Sequence, residues 1–118
     1  MKVYTELEVW KESRILVKDI YSSSPCFPEE EKFVLVSQMR RAAVSIPSNI
    51  AEGAGRGSNR DFVRFLDIAC GSSFELETQL ILCLDLDFLP ETEFHDLEVK
   101  IQEIQRMIFS LKNKYQVC

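Results

Sequence analysis

Five arginines lie in the middle of this chain, and their charge and spacing favour a phosphate-binding surface. They are Arg40, Arg41, Arg56, Arg60 and Arg64. Guanidinium groups bind phosphate oxygens in a bidentate geometry that does not depend on base sequence. Arg56, Arg60 and Arg64 are spaced by four residues, so they share one face of a helix. If the helices that carry the two groups fold back on each other, we expect all five cations to lie near one another.

The charge of the chain is unevenly distributed. The 118 residues carry a formal net charge of -5, which by itself argues against general nucleic-acid binding. Between Val36 and Leu66 the five arginines stand against only Glu52 and Asp61, so this segment carries +3 and the remainder carries -8. Two interpretations follow. The arginines bind a phosphate-bearing ligand, or they pair with Glu52, Asp61, Asp67 or an acidic face of a neighbouring subunit.

Glu52 is the first candidate for a catalytic group, because it lies among these arginines and beside Asn49. General acid catalysis needs a second group and a cleft. Neither a histidine nor an evident second carboxylate supplies that group near Glu52. The sequence therefore predicts no catalytic residue and no enzymatic activity. Glu52 and Asn49 are expected to cap helix ends or to pair with Arg56.

The glycine-rich segment from residue 53 to 58 has two interpretations, a phosphate-binding loop and a helix-to-helix turn. It lacks the Gly-Lys-Ser/Thr ending of a nucleotide-binding loop, so the turn is favoured. The residues expected to shape this structural turn are Pro47, Asn49, Glu52, Gly53 and Gly55. Pro47 removes a backbone hydrogen bond inside a helical pattern, so a kink or break is expected near Val44.

Neither a metal site nor a cofactor site is indicated by the sequence. The four cysteines are dispersed at Cys26, Cys70, Cys83 and Cys118, and His95 is the only histidine. A zinc site requires a tight cluster of such ligands. No signal-peptide pattern opens the sequence, and no run of 18 apolar residues occurs. We therefore expect a reduced, cytoplasmic protein without a membrane span.

Four amphipathic helices must position these residues. Apolar side chains at spacings of three and four predict helices over about 7–22, from about Pro28 to the glycines, and from Ser58 onwards. A heptad seam from Phe94 to Tyr115 predicts the fourth. Short connections between such helices predict an all-α fold, an antiparallel up-down-up-down four-helix bundle, with residues 1–118 forming one domain.

The third helix carries two further signals. Ser58 and Asp61 resemble a capping box at its start. A patch of small residues, Ala69–Ser73, lies in its middle, and Gly71 costs about 1 kcal/mol relative to alanine in a helix. We infer that another helix approaches this patch closely, either within the bundle or between subunits.

The aromatic residues near the N-terminus also have two interpretations. Tyr4, Trp10 and Tyr21 suit stacking against nucleic-acid bases. Trp10 and Tyr21 fall close to the apolar stripe of the first helix, however, and this position favours packing in the core.

The central segment is similar to the signature of a known family. The residues that carry the resemblance are Gln38-Met39-Arg40-Arg41-Ala42-Ala43, Ser45-Ile46-Pro47-Ser48-Asn49-Ile50-Ala51-Glu52-Gly53, Gly55-Arg56, Asp61-Phe62, Arg64-Phe65-Leu66 and Glu75-Leu76-Glu77-Thr78-Gln79-Leu80. In these stretches the chain resembles the 23S rRNA-intervening sequence proteins, which are small four-helix bundle proteins.

The resemblance implies a function. Related accessory variability determinant proteins of diversity-generating retroelements are homopentamers that bind nucleic acid and a reverse transcriptase through basic surfaces. By analogy, this chain is expected to be a non-enzymatic homo-oligomer, a pentamer by resemblance, that binds RNA or a ribonucleoprotein. The implied contact positions are the five arginines. The alternative is a structural protein–protein adaptor whose arginines stabilise subunit contacts. The acidic net charge departs from the basic character of these relatives.

Overall fold

The computed structural model describes residues 3–23 and 29–116, except for the side chains of residues 31–33. Four main helices follow one another along the chain: α1 (Glu8–Ser22), α2 (Ser37–Ala54), α3 (Asn59–Asp85) and α4 (Glu91–Tyr115). A 3-10 turn at Tyr4–Glu6 precedes α1, and a helical turn at Glu29–Glu31 and a π-helical stretch at Lys32–Val36 lead into α2. These two ranges of the chain contain no strand.

The four helices surround one apolar core. α1 packs against α2 and α4, and α3 packs against the same two helices, so α1 and α3 occupy opposite corners. The molecule measures 46 × 22 × 22 Å and is therefore a rod. α3 has 27 residues and rises about 40 Å, which is most of the length of the rod. The fold is the all-α four-helix bundle that the apolar periodicity predicts.

The apolar periodicity predicts α1 and α4 most closely. α1 was expected over about 7–22 and extends from Glu8 to Ser22. The heptad seam of α4 is buried at Phe94, Leu97, Ile101, Ile104 and Ile108. Burial of a Leu, Ile or Phe side chain contributes roughly 1.5–3 kcal/mol. Each of these two stripes therefore contributes to the stability of the bundle.

The start of α3 is also as predicted. Ser58 is the N-cap residue, and its hydroxyl accepts a hydrogen bond from the backbone N–H of Asp61 at 3.1 Å. An N-cap of this kind stabilises a helix by about 1 kcal/mol. The predicted start of the second helix, Pro28, lies outside the described residues.

α2 continues through Pro47 without interruption, so of the two expected outcomes near Val44 a break is wrong and a kink stays a prediction. Proline inside a helix costs about 3 kcal/mol. However, Ile46 and Ile50 on the same helix are completely buried. Their burial favours the helical conformation on both sides of Pro47, and packing therefore overrides the local preference.

The expected turn residues are mostly not in the turn. Pro47, Asn49, Glu52 and Gly53 belong to α2, whereas Gly55 is its C-cap residue. The connection to α3 consists of residues 55–58. The glycine-rich segment is therefore a short helix-to-helix turn, but it begins later than the sequence predicts.

Gly71 is not explained by packing within the bundle. A Cβ atom built on Gly71 has no described atom within 4 Å outside its own helix backbone and chain neighbours. Elsewhere in the patch α2 does approach closely, since Oγ of Ser72 is 2.8 Å from Oγ of Ser45 and both Ala69 and Ser73 are completely buried. The expected close approach within the bundle is therefore confirmed for the patch but does not extend to Gly71. A contact between subunits stays a prediction.

Candidate nucleic-acid interface

The interface is built on a close approach of α2 and α3 next to their connecting turn. Gly53 is buried, and a Cβ atom added to it would lie 2.6 Å from Cβ of Phe65 and 3.3 Å from Cδ1 of Phe62. A separation of 2.6 Å is a steric clash. Gly53 is therefore required by helix packing, and it brings the end of α2 against the start of α3.

Two arginines converge on the Phe65 ring at this point. The guanidinium carbons of Arg56 and Arg64 lie 5.0 and 5.2 Å from the ring centroid. Each cation–π contact at an exposed site contributes roughly 0.5–1 kcal/mol. Arg56 also donates a hydrogen bond to Oε2 of Glu52 at 3.0 Å, which is the pairing that the sequence predicts for Glu52.

Arg60 and Arg64 are the most available cations of this surface. Both are exposed on α3, one helical turn apart. Neither makes an ion pair with a carboxylate of the described residues. Asp67, a candidate partner from the sequence, accepts a contact from Lys112 of α4 at 2.8 Å instead. Two guanidinium groups are thus accessible to an anionic ligand beside the paired Arg56.

The other two arginines lie far from this surface, so the expectation that all five gather is wrong. Oγ of Ser45 is 2.8 Å from Oγ of Ser72, which fixes the antiparallel register of α2 and α3. Arg40 precedes Gly53 by 13 residues in the sequence, a separation of about 20 Å along the helix. Arg40 and Arg41 therefore lie towards the other end of the rod.

Arg40 is held at the end of α1. Its guanidinium carbon is 4.5 Å from the ring centroid of Tyr21, and its Nη2 donates to the carbonyl oxygen of Tyr21 at 3.4 Å. Tyr21 is 46% exposed, so its expected place in the core is wrong. Trp10, by contrast, is partly buried and packs against the core as expected. Arg41 is exposed and has no ion pair with any described carboxylate.

The described residues show neither a metal-binding cluster nor a catalytic setting for Glu52. Within them, no group of three His, Cys, Asp or Glu side chains is placed to hold a metal ion. The Glu52 side chain is 54% exposed and bound to Arg56, rather than enclosed in a cleft with a second titratable group. Across the same ranges, every helix is too short or too polar to cross a membrane.

Comparison with known proteins assigns the family. The family of 23S rRNA-intervening sequence proteins matches residues 5–110. The chain belongs to this family. A crystal structure of a protein with unknown function from the S23 ribosomal protein family of Bacteroides thetaiotaomicron has a similar fold, with a TM-score of 0.82 and 25% identity. The match covers 89% of this chain and 95% of that chain. None of the curated proteins matches the sequence.

In this 23S rRNA-intervening sequence protein, part of the central motif has a structural role that the sequence did not reveal. The side-chain amide of Asn49 donates to the carbonyl oxygen of Ser45 at 2.8 Å and to its Oγ at 2.9 Å. Because Ser45 also contacts Ser72, a polar bridge joins α2 and α3. Asn49 therefore does not cap a helix end. The spacing of Ser45 and Asn49, one helical turn, was the available signal.

Proposed function

We propose that this protein is a non-enzymatic, homo-oligomeric protein that binds RNA through Arg56, Arg60 and Arg64 at the α2–α3 turn. The observation that carries this proposal is the exposure of Arg60 and Arg64 without an ion-pair partner among the described residues. Exposed arginines contact phosphate oxygens and release condensed counterions, which favours binding without base specificity.

The local charge supports the same ligand. Without Arg40 and Arg41, the residues around the turn carry Arg56, Arg60 and Arg64 against Glu52 and Asp61, a local charge of +1 in a chain whose formal net charge is -5. A polyanion is therefore attracted to this end of the bundle and repelled by the more acidic remainder, which fixes the position of binding. Arg40 and Arg41 are not part of this surface, so the proposed site is smaller than the sequence alone indicates.

The family description associates this protein with ribosomal RNA through the position of family genes in its intervening sequences, and it states no ligand. The similar crystal structure is assigned to a ribosomal protein family. Both descriptions concern ribosomal RNA or the ribosome rather than an enzymatic substrate.

The proposal is tested by the salt dependence of RNA affinity. The α3 variant carries Arg60→Gln and Arg64→Gln, and a control variant carries Lys100→Gln and Lys114→Gln on α4, so both lose two positive charges. Binding of a short single-stranded RNA is measured by fluorescence anisotropy between about 50 and 200 mM salt. We expect the α3 variant to bind more weakly, with a log–log salt slope shallower by about 1.4, because each phosphate contact contributes about 0.7.

The control variant should retain nearly the native slope. Equal slopes for the native chain and the α3 variant would contradict RNA binding at Arg60 and Arg64. The alternative function is an adaptor whose arginines hold subunits together, and it predicts that the α3 variant has a lower solution mass. If the α3 variant dissociates in light scattering while RNA affinity is unchanged, the adaptor is correct.

Exposed aromatic side chains support self-association. Phe74 of α3 and Phe109 of α4 are 54% and 62% exposed. Both line a groove of about 690 Å³ between the two helices. Exposed apolar patches of this kind mark protein interfaces. We assign this groove to contact with a second copy of the chain.

A further inference from the structure

A second line of cations runs along α1, in a region where the sequence suggests only a neutral amphipathic helix. Lys11, Arg14 and Lys18 are exposed at spacings of three and four residues, so they lie on one face. Together with exposed Ile15, they line a shallow surface of about 310 Å³. The formal charge of α1 is zero, because Glu8, Glu12 and Asp19 balance the three cations.

The carboxylates of α1 are mostly turned away from this line. Asp19 forms an ion pair with Lys100 of α4, so the side of α1 that carries Asp19 faces α4. Glu12 precedes Asp19 by seven residues and therefore lies on the same side. Only Glu8 contacts the line, at 3.6 Å from Nζ of Lys11. Arg14 and Lys18 make no ion pair with a described carboxylate.

Aromatic side chains lie at both ends of this line of cations. The guanidinium carbon of Arg14 lies 5.5 Å from the ring of the partly buried Trp10. At the other end, exposed Tyr21 follows Lys18 by three residues and holds the guanidinium of Arg40 at 4.5 Å. Arg40, which does not join the arginines of the α2–α3 turn, is therefore bound to Tyr21 next to the end of this line.

We propose that this α1 line, formed by Lys11, Arg14 and Lys18, binds the phosphate backbone of single-stranded RNA as a second surface. The cations extend from Lys11 to Lys18, about 10 Å along the helix. Such a row matches successive phosphates of a polymer better than one phosphate group. Exposed Tyr21 offers a ring on which a base stacks, a combination typical of single-strand binding.

The second surface rests on the proposed function and extends it, since it gives one chain two RNA contacts. α1 and α3 occupy opposite corners of the bundle, so the two surfaces do not merge. A strand that contacts both must wrap around a rod 22 Å wide. Otherwise the two surfaces hold two separate segments.

Photocrosslinking separates the two surfaces. A single-stranded RNA that contains 4-thiouridine is crosslinked to the full chain, and the crosslinked peptides are identified by mass spectrometry. We expect crosslinks in both α1 and α3. An α1 variant with Arg14→Gln and Lys18→Gln should lose most crosslinks in α1, keep those in α3, and bind with a salt slope shallower by about 1.4. The Lys100→Gln, Lys114→Gln control should keep both sets.

Each other outcome has a definite meaning. Crosslinks in α3 alone would overturn the α1 surface and leave the proposed function intact. Crosslinks in α1 alone would support the α1 surface and overturn the assignment of RNA to Arg60 and Arg64. If no crosslink forms in α1 and the α1 variant has a lower mass in light scattering, these cations bind another copy of the chain, and RNA binding by α1 is wrong.

Discussion

At the scale of single residues, two helical glycines have opposite surroundings and make opposite predictions. A Cβ atom on Gly53 would lie 2.6 Å from Cβ of Phe65, whereas one on Gly71 would meet no described atom within 4 Å outside its own helix backbone and chain neighbours. Gly53→Ala should therefore lower the free energy of unfolding by about 1–3 kcal/mol, the usual cost of overpacking. Gly71→Ala should raise it by up to about 1 kcal/mol, because alanine favours the helix.

Urea denaturation of the two variants measures both effects with the same chemical change. Similar free energies for Gly53→Ala and the native chain would show that α2 and α3 separate easily at their turn. The comparison also bears on the candidate interface, because the contact at Gly53 places Arg56 and Arg64 around Phe65.

At the scale of helices, periodicity was sufficient for the elements but not for the register between them. The stripe from Phe94 to Ile108 is buried as predicted, because burial repeats with the helical period. The break at Pro47 was wrong, since a local rule does not include the packing of Ile46 and Ile50. The arginine cluster was wrong for a similar reason. Because α2 continues through Pro47, Arg40 lies about 20 Å along the helix from Gly53 and therefore away from Arg60.

The ion pair between α3 and α4 predicts a pH dependence. The hydrogen bond from Lys112 to Asp67, together with the negative charge of Asp67, raises the pKa of Lys112 above its ordinary value. The folded state thus binds this proton more tightly than the unfolded state does. The stabilisation is complete below the ordinary lysine pKa of about 10.4 and is lost as pH rises through the higher folded pKa. The difference in unfolding free energy between the native chain and Lys112→Gln should shrink over this range.

Lys114→Gln is the control, because Lys114 is exposed and has no ion pair with a described residue. Its difference from the native chain should change less with pH. A difference for Lys112→Gln that stays constant through the alkaline range would mean that the pair with Asp67 does not contribute to stability.

At the scale of the whole molecule, the rod separates its candidate contacts onto different sides. Cations of α3 and of α1 lie on opposite corners, and the groove with Phe74 and Phe109 lies between α3 and α4. An assembly through that groove covers apolar surface and leaves the α1 line, on the far corner, accessible to RNA. Such an assembly multiplies weak phosphate contacts, since linked sites bind a polymer with a high effective concentration.

This arrangement predicts the effect of removing the two exposed rings. Phe74→Ala combined with Phe109→Ala should lower the solution mass towards that of one chain, 13.7 kDa, while the circular dichroism spectrum stays helical, because both side chains lie outside the core. Multi-angle light scattering measures the mass. Val99→Ala is the matched control, since Val99 is 63% exposed on α4 and is not among the residues that line the groove. If the double variant keeps the native mass, or if the native chain is itself monomeric, the groove is not a contact between copies.

RNA affinity should fall with the mass for a long RNA but not for a short one, because only a long strand reaches several subunits.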